Sequence, residues 1–310
     1  MNPKLSIVST LYKSQNYVEQ FLDEALKAGE GFCDDFEILL VDDGSPDASR
    51  ALAEKRASLD SRVKVIQLTR NFGHHPAFWC GMHHAKGDYC FLIDSDLEVN
   101  PQVLADFKLR MEEDGADVVY GVQDVRKGAT QTRVLGGAFW RIFSALSNVD
   151  VPQDIMTERL MKRPYLDALL SMQDYNLFLG GMFYWPGFQQ TPLKLIKQPR
   201  SGRGAYSALD RFKLLVEAIS SFSSFPLTLI FWLGAIVSLF SATYSIYLLA
   251  RRLLFPETVL DGFTFLALVS VGSAGMILVA LGVIGLYIHR IFKQVQARPI
   301  FIVKQIYSKK

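Results

Sequence analysis

Cysteine is scarce in this chain of 310 residues, with three in all. Cys33, Cys80 and Cys90 form no C-x-x-C pair and no zinc-like spacing. That excludes a disulfide framework and points to a reducing compartment. A charge excess of one sign is also missing. There are 33 Lys and Arg against 31 Asp and Glu, a net charge of +2, so the global basic field of a nucleic-acid binder is absent and no nucleic-acid partner is expected. The N-terminus, "MNPKLSIVST", lacks a basic stretch followed by a long apolar core. No signal peptide is read there, and the N-terminal part is expected to stay in the cytosol. No G-x-G-x-x-G follows the first apolar run, and no G-x-x-x-x-G-K-[ST] occurs. Dinucleotide and P-loop sites are therefore not expected.

Long apolar runs are present, concentrated in the last third. Residues 227–250, "LTLIFWLGAIVSLFSATYSIYLLA", and 263–288, "FTFLALVSVGSAGMILVALGVIGLYI", carry no charge. A helix needs about 20 apolar residues to cross roughly 30 Å of hydrocarbon. Both runs predict transmembrane helices, since soluble core helices of that length show a polar face. The connector "RRLLFPETVLDG" mixes signs, whereas the outer flanks are basic: Arg200, Arg203, Arg211 and Lys213 before, and Arg290, Lys293, Arg298 and Lys304 after. The positive-inside rule places both flanks, and so both termini, in the cytosol, as a multi-pass protein of the cytoplasmic membrane. Gly272, Gly275, Gly282 and Gly285 would permit close helix packing, including between copies of the chain. Ahead of the first run, Leu209, Phe212, Val216, Ile219 and Phe222 recur at helical spacing. They predict an amphipathic helix over 206–226, lying in the membrane interface or packed on the preceding domain. The expected division is 1–205, 206–226, a helical hairpin over 227–290, and a cytosolic tail over 291–310.

The first part alternates apolar runs with helical patterns. Strands are predicted at 5–10, 36–43, 63–69, 88–94 and 116–123, and helices at 16–28, 47–59 and 76–86. This alternation implies an α/β fold with a mostly parallel, Rossmann-like sheet covered on both faces. In such sheets ligands bind outside the carboxyl ends of the strands. Asp42, Asp43, Asp94 and Asp96 all fall there. "ILLVDDG" superficially resembles a phosphoacceptor receiver domain, and "FLIDSDLEV" a haloacid-dehalogenase phosphatase. In both of those the motif opens the domain, but here it lies on the second or fourth strand.

"FLIDSDLEVNP" places Asp94, Asp96 and Glu98 within five positions. Carboxylates that close repel unless a cation sits between them. Mg²⁺ or Mn²⁺ prefers oxygen ligands and commonly bridges one or two carboxylates to substrate phosphates. Asp94, Asp96 and Glu98 are the candidate ligands. His74, His75, His83 and His84 lie close together in sequence, which raises a zinc site as the competing metal reading.

At these residues the chain resembles a known family. "STLYKSQNYVEQFL", "LLVDDGSPDAS", "RNFGHHPAFWCGMHHAKGDYCFLIDSDLEVNP" and "GVIGLYIHRIFKQVQARPIFIV" are similar to the polyisoprenyl-phosphate glycosyltransferases. These are membrane-anchored family 2 enzymes related to dolichol-phosphate mannose synthase and to bacterial undecaprenyl-phosphate glucosyltransferases. The resemblance spans almost the whole chain. It implies a GT-A fold and inverting transfer of one sugar from a nucleotide-sugar, of UDP type, to polyprenyl phosphate, for modification of a cell-surface glycan such as lipopolysaccharide. It places Thr10, Tyr12, Asp42, Asp43, Arg70, Asn71, His74, Asp94 and Ser95 around the donor. It shows no zinc site at the histidines. Mg²⁺ or Mn²⁺ is the implied cofactor.

On the acceptor side, Arg126, Arg133, Lys197, Arg200 and Arg203 suit a lipid phosphate at the membrane surface, or anionic headgroups generally. The family motif D-F-R-L falls on "TERL" here, so Thr157 replaces its Asp and Glu158 its aromatic. Asp154 and Glu158 are the remaining candidates for a catalytic carboxylate beside Asp94 and Asp96. A general base is dispensable in any case. A phosphate monoester has a second pKa near 6 and is already mostly a dianion at neutral pH. A processive polysaccharide synthase would carry Q-x-x-R-W and more spans, which this chain lacks. A non-catalytic membrane scaffold is the contrasting reading, motivated by Thr157 and Glu158.

Overall fold

The computed structural model describes residues 4–123, 152, 155–175, 177–198, 225–254 and 263–309. Arg126, Arg133, Asp154, Arg200, Arg203 and residues 206–224 of the expected interfacial helix lie outside them.

The apolar runs form β1 (Leu5–Leu11), β2 (Phe36–Asp42), β3 (Val63–Leu68), β4 (Tyr89–Leu92) and β5 (Val118–Gln123). Every residue of β1 and β2 is buried, as a parallel strand covered on both faces demands. Between them run α1 (Val18–Phe32), α2 (Ser49–Leu59), α3 (His74–His84) and α4 (Leu104–Asp114). Three more strands follow: β6 (Ile155–Lys162), β7 (Gln190–Leu195) and β8 (Val303–Tyr307). Helix α5 (Arg163–Leu170) continues directly from β6.

The sheet order is β7-β5-β6-β4-β1-β2-β3-β8. β3, β2, β1 and β4 are mutually parallel, as expected. β6 inserts antiparallel between β4 and β5, and β7 pairs parallel with β5. β8, within the C-terminal tail, pairs antiparallel with β3. The result is a GT-A-like α/β fold with a mostly parallel sheet.

Alternation along the strands builds two core layers. Leu5, Ile7, Ile38 and Leu40 pack with Phe21, Leu22 and Ala25 of α1 and Phe107 of α4. Val8 and Leu39 pack the other way, with Phe78, Trp79 and Met82 of α3 and Tyr165 and Leu166 of α5. Each such side chain contributes roughly 1.5–3 kcal/mol by leaving water. Gly81 sets how closely α3 approaches, since a Cβ there would lie 2.3 Å from Val8 Cγ1.

The two C-terminal apolar runs are long helices, α6 (Phe225–Leu254) and α7 (Phe263–Gln296), which touch each other. At 1.5 Å per residue they extend about 45 and 51 Å. Among the described residues, Gly275–Gln296 in α7 is long and apolar enough to cross a membrane, and none of it is buried in the molecule. The apolar stretch recognised in α6, Pro226–Val237, is shorter.

Candidate active site

The site begins with two loops tied together. The "DDGSPDAS" turn after β2 is a hydrogen-bonded knot. Asp42 accepts from the Ser45 N–H at 3.1 Å, and Asp47 accepts from the Ser45 and Ser49 hydroxyls and the Ser49 N–H. From this knot Ser45 Oγ accepts from Lys13 N, Ser49 Oγ from Ser14 N and Asp47 from Gln15 N. The β1–α1 loop is thus fastened to the β2–α2 loop. Asp47 is held down to a pKa of about 2, because those hydrogen bonds outweigh the effect of burial. Gly44 adopts φ +64°, and a Cβ there would meet Asn71 N at 2.7 Å. Its absence lets the turn close on Asn71.

Asp43 projects into the next loop and accepts from Phe72 N at 2.7 Å and Gly73 N at 2.9 Å. Burial nonetheless raises its pKa. These bonds fix the start of α3 above the carboxyl ends of β1 and β4. At the end of β4, the Ser95 hydroxyl donates to Thr10 O at 2.7 Å, and Asp96 Oδ1 accepts from Glu98 N. Lys13 and Leu97 hold φ of +56° and +58°. Such backbone costs a non-glycine residue roughly 1 kcal/mol or more and clusters at functional sites.

These loops enclose a cavity of about 760 Å³. Of the expected donor residues, Thr10, Tyr12, Asp43, Asn71, His74, Asp94 and Ser95 line it, together with Asp96. Asp42 and Arg70 do not. Asp42 is spent on its turn, and the Arg70 guanidinium lies over the Phe72 ring and donates to Asn71 O. Ser14, Gly73, Pro76 and Leu177 complete the wall, with His75, which the sequence marked only as part of the histidine cluster.

His74 bridges the two sides. Its Nδ1 is 3.4 Å from Thr10 Oγ1 and its Nε2 3.5 Å from Asp94 Oδ1. The tautomer with Nε2–H toward Asp94 lets Nδ1 accept from Thr10. Burial raises the Asp94 pKa and the Asp96 charge adds to it, against His74, Lys197 and a hydrogen bond from Thr157. Thr157, at the position of the family's Asp, therefore serves as a neutral partner to Asp94. Glu158 is 1 % exposed, and its Oε2 has no hydrogen-bond partner among the described residues. Burial, then the nearby Asp94 charge, pushes its pKa up to about 7.

The expected triplet of Asp94, Asp96 and Glu98 is not assembled. Glu98 Oε2 pairs with Lys197 Nζ at 2.9 Å, and Gln198 N donates to Glu98 O. Among the described residues no three His, Cys, Asp or Glu side chains converge to hold a metal. Lys197, expected at the acceptor phosphate, instead stands among carboxylates. Burial opposes its charge, but Glu98, Glu158 and Asp94 more than offset that and raise its pKa. Among the described residues the histidines do not gather into a three-ligand cluster. His83 stacks edge-on to Trp79, and His84 Nδ1 lies 2.8 Å from Cys80 O.

The family description "Glycosyl transferase family 2" matches residues 6–170. A sequence from Mycobacterium tuberculosis is 36% identical over 98% of this chain and 89% of its own length. An uncharacterised glycosyltransferase of Bacillus subtilis is 32% identical over 98% and 94%. A prophage bactoprenol glucosyl transferase of Shigella flexneri is 28% identical over 97% and 98%. The match that begins on β1 and runs through the cavity residues to the end of α5 fixes the assignment: the chain is a glycosyltransferase and belongs to glycosyl transferase family 2.

Proposed function

We propose that the enzyme transfers one sugar, with inversion, from a UDP-type nucleotide-sugar to a polyprenyl phosphate at the cytosolic face of the cytoplasmic membrane, for cell-surface glycan modification. One observation carries this reading. Asp43, Asn71, His74, Asp94 and Asp96 meet in one cavity at the carboxyl ends of parallel strands. The same chain continues into apolar helices, and its similarity to bactoprenol glucosyl transferases extends over 97% of its length.

Tyr12 is half-exposed on the cavity wall, where its ring can stack on a base. The N-terminus of α3 opens into the cavity at Gly73 and His74, and its positive end suits a diphosphate. Asp94 and Asp96 fit a divalent cation. Both line the cavity, and burial raises the Asp94 pKa, with the neighbouring Asp96 charge adding to it, so a cation bound beside them would stabilise the ionised pair. Two carboxylates plus substrate oxygens is the usual Mg²⁺ or Mn²⁺ donor set. Bound there, the ion would offset charge on the leaving diphosphate.

The residues around it orient rather than abstract protons. His74 and Thr157 hold Asp94 in place. Lys197 neutralises Glu98 and keeps that carboxylate out of the donor set. The acceptor is a phosphate dianion, so the loss of the family's Asp to Thr157 costs no essential base. Two spans with both termini cytosolic would bring the lipid phosphate to the cavity.

Purified protein in lipid nanodiscs, incubated with undecaprenyl phosphate, Mg²⁺ or Mn²⁺ and radiolabelled UDP-sugars, should yield lipid-extractable label. No labelled lipid with any nucleotide-sugar, despite intact UDP binding, would refute the acceptor assignment.

A further inference from the structure

Helix α7 does more than leave the catalytic domain. Gln294, in its last turn, makes a paired amide contact with the domain's backbone. Its Oε1 accepts from Tyr175 N at 2.8 Å, and its Nε2 donates to Gln173 O at 2.5 Å. Two residues further on, Leu177 lines the cavity, and its carbonyl oxygen is 3.0 Å from His75 Nδ1. His75 also lines the cavity and belongs to the first turn of α3. The end of a candidate membrane span therefore holds backbone two residues from the cavity wall.

The end of α7 is itself fixed. Ala297 turns the chain with φ +46°. Phe301 then packs beside His83 of α3, Ile302 O accepts from Thr69 N, and β8 joins the sheet. Gln294 thus stands on a rigid base and braces backbone that has no helix or strand of its own at 172–175.

We propose that Gln294 is a positioning residue for the donor. Through Gln173 and Tyr175 it fixes Leu177 and His75, so the last turn of α7 sets one wall of the cavity. This rests on the reading of that cavity as the nucleotide-sugar site. It ties the membrane helix to the donor pocket rather than only to the lipid acceptor.

Neutral hydrogen bonds each make a modest net contribution, and only part of their loss reaches the wall. Gln294→Ala should therefore raise the KM for the nucleotide-sugar and the Kd for UDP about three- to tenfold, with kcat and the acceptor KM within twofold. The contact should be directional. In the His75→Ala background, which cuts the relay, Gln294→Ala should add less than twofold. Hydrogen exchange on the full-length protein in nanodiscs, without nucleotide, gives the readout that does not depend on activity. Peptides covering 173–179 and 73–78 should both exchange faster in Gln294→Ala, while β1 and β2 stay protected. Faster exchange confined to 173–175, or an unchanged UDP Kd in a protein that binds UDP, would overturn the proposal. A wild-type protein that binds no UDP would remove the donor-site reading instead, and the exchange pattern alone would then decide the coupling. If Gln294→Ala proves poorly folded, Gln294→Met, which keeps the length of the side chain and removes both amide hydrogen bonds, should reproduce the UDP shift, and its failure to do so would overturn the proposal.

Discussion

Charge compensation separates the carboxylates of the site from one another. Glu98 is paired directly with Lys197, 2.9 Å away, while Asp94 and Asp96 line the cavity. Removing charge from Glu98 should therefore matter little to the bound diphosphate. Glu98→Gln is expected to change turnover and the midpoint of the Mg²⁺ or Mn²⁺ titration by less than about threefold. Asp96→Ala should lower kcat by about a hundredfold or more, the usual scale for losing a preorganised electrostatic group, while membrane insertion persists. A metal titration of both variants checks this, and a Glu98→Gln loss equal to that of Asp96→Ala would restore the third ligand. Glu158 differs again, because its buried Oε2 has no partner among the described residues. Its folded pKa of about 7 lies above the ordinary glutamate value of 4.5, chiefly because it is buried. The native state therefore holds a proton that the unfolded chain releases between those values. Stability should fall as pH rises from about 4.5 to 7 and level off above, by on the order of 3 kcal/mol at most. Glu158→Gln should flatten that window and raise Tm at pH 8, measured by thermal unfolding with chelator present.

Elements carry the site only if they sit at fixed distances from the sheet. The first turn of α3 reaches the cavity, and the helix packs on β1 through Gly81, where no Cβ fits beside Val8. Ala at that position gains up to about 1 kcal/mol of helix propensity. It also forces a buried, β-branched neighbour to move, an overpacking cost of about 1–3 kcal/mol. The clash should win. Gly81→Ala is expected to lower Tm by several degrees and weaken UDP binding together, as differential scanning fluorimetry with and without UDP would register. The same elements explain what the sequence disclosed. β1 to β5 were legible because doubly covered strands read as continuous apolar runs, and the cavity residues because they fall at the ends of those runs. β6 was hidden by its own chemistry, since "TER" looks exposed although Glu158 and Arg159 are each 1 % exposed. Arg159 manages this by lying over the Phe183 ring and donating to Met156 O. The partner of Glu98 was equally hidden, because Lys197 is far along the chain and nothing local specifies their meeting.

At the scale of the whole molecule, the order of the chain and the order of the fold disagree. The catalytic sheet is completed by β8, which follows both apolar helices in sequence. Tyr307 Oη donates to Gln67 Oε1, and Phe301 and Val303 pack with Ile66, Leu68 and Ala77. β8 caps an edge that would otherwise expose the unpaired N–H and C=O groups of β3, and such an edge invites aggregation. Cutting the chain at residue 224 to obtain a soluble catalytic domain should therefore fail even though every donor-cavity residue is retained. That variant is expected to aggregate or to melt well below the full-length protein in detergent. Replacing Phe225–Gln296 with a flexible Gly/Ser linker while keeping residues 297–310 should recover a monomeric, cooperatively melting domain, because β8 and Phe301 can return to β3 and α3. That domain lacks the Gln294 brace, so it should also bind UDP more weakly than the full-length protein. Size-exclusion chromatography and thermal melting of the two shortened chains decide it: equal behaviour would mean that β8 is dispensable to the sheet.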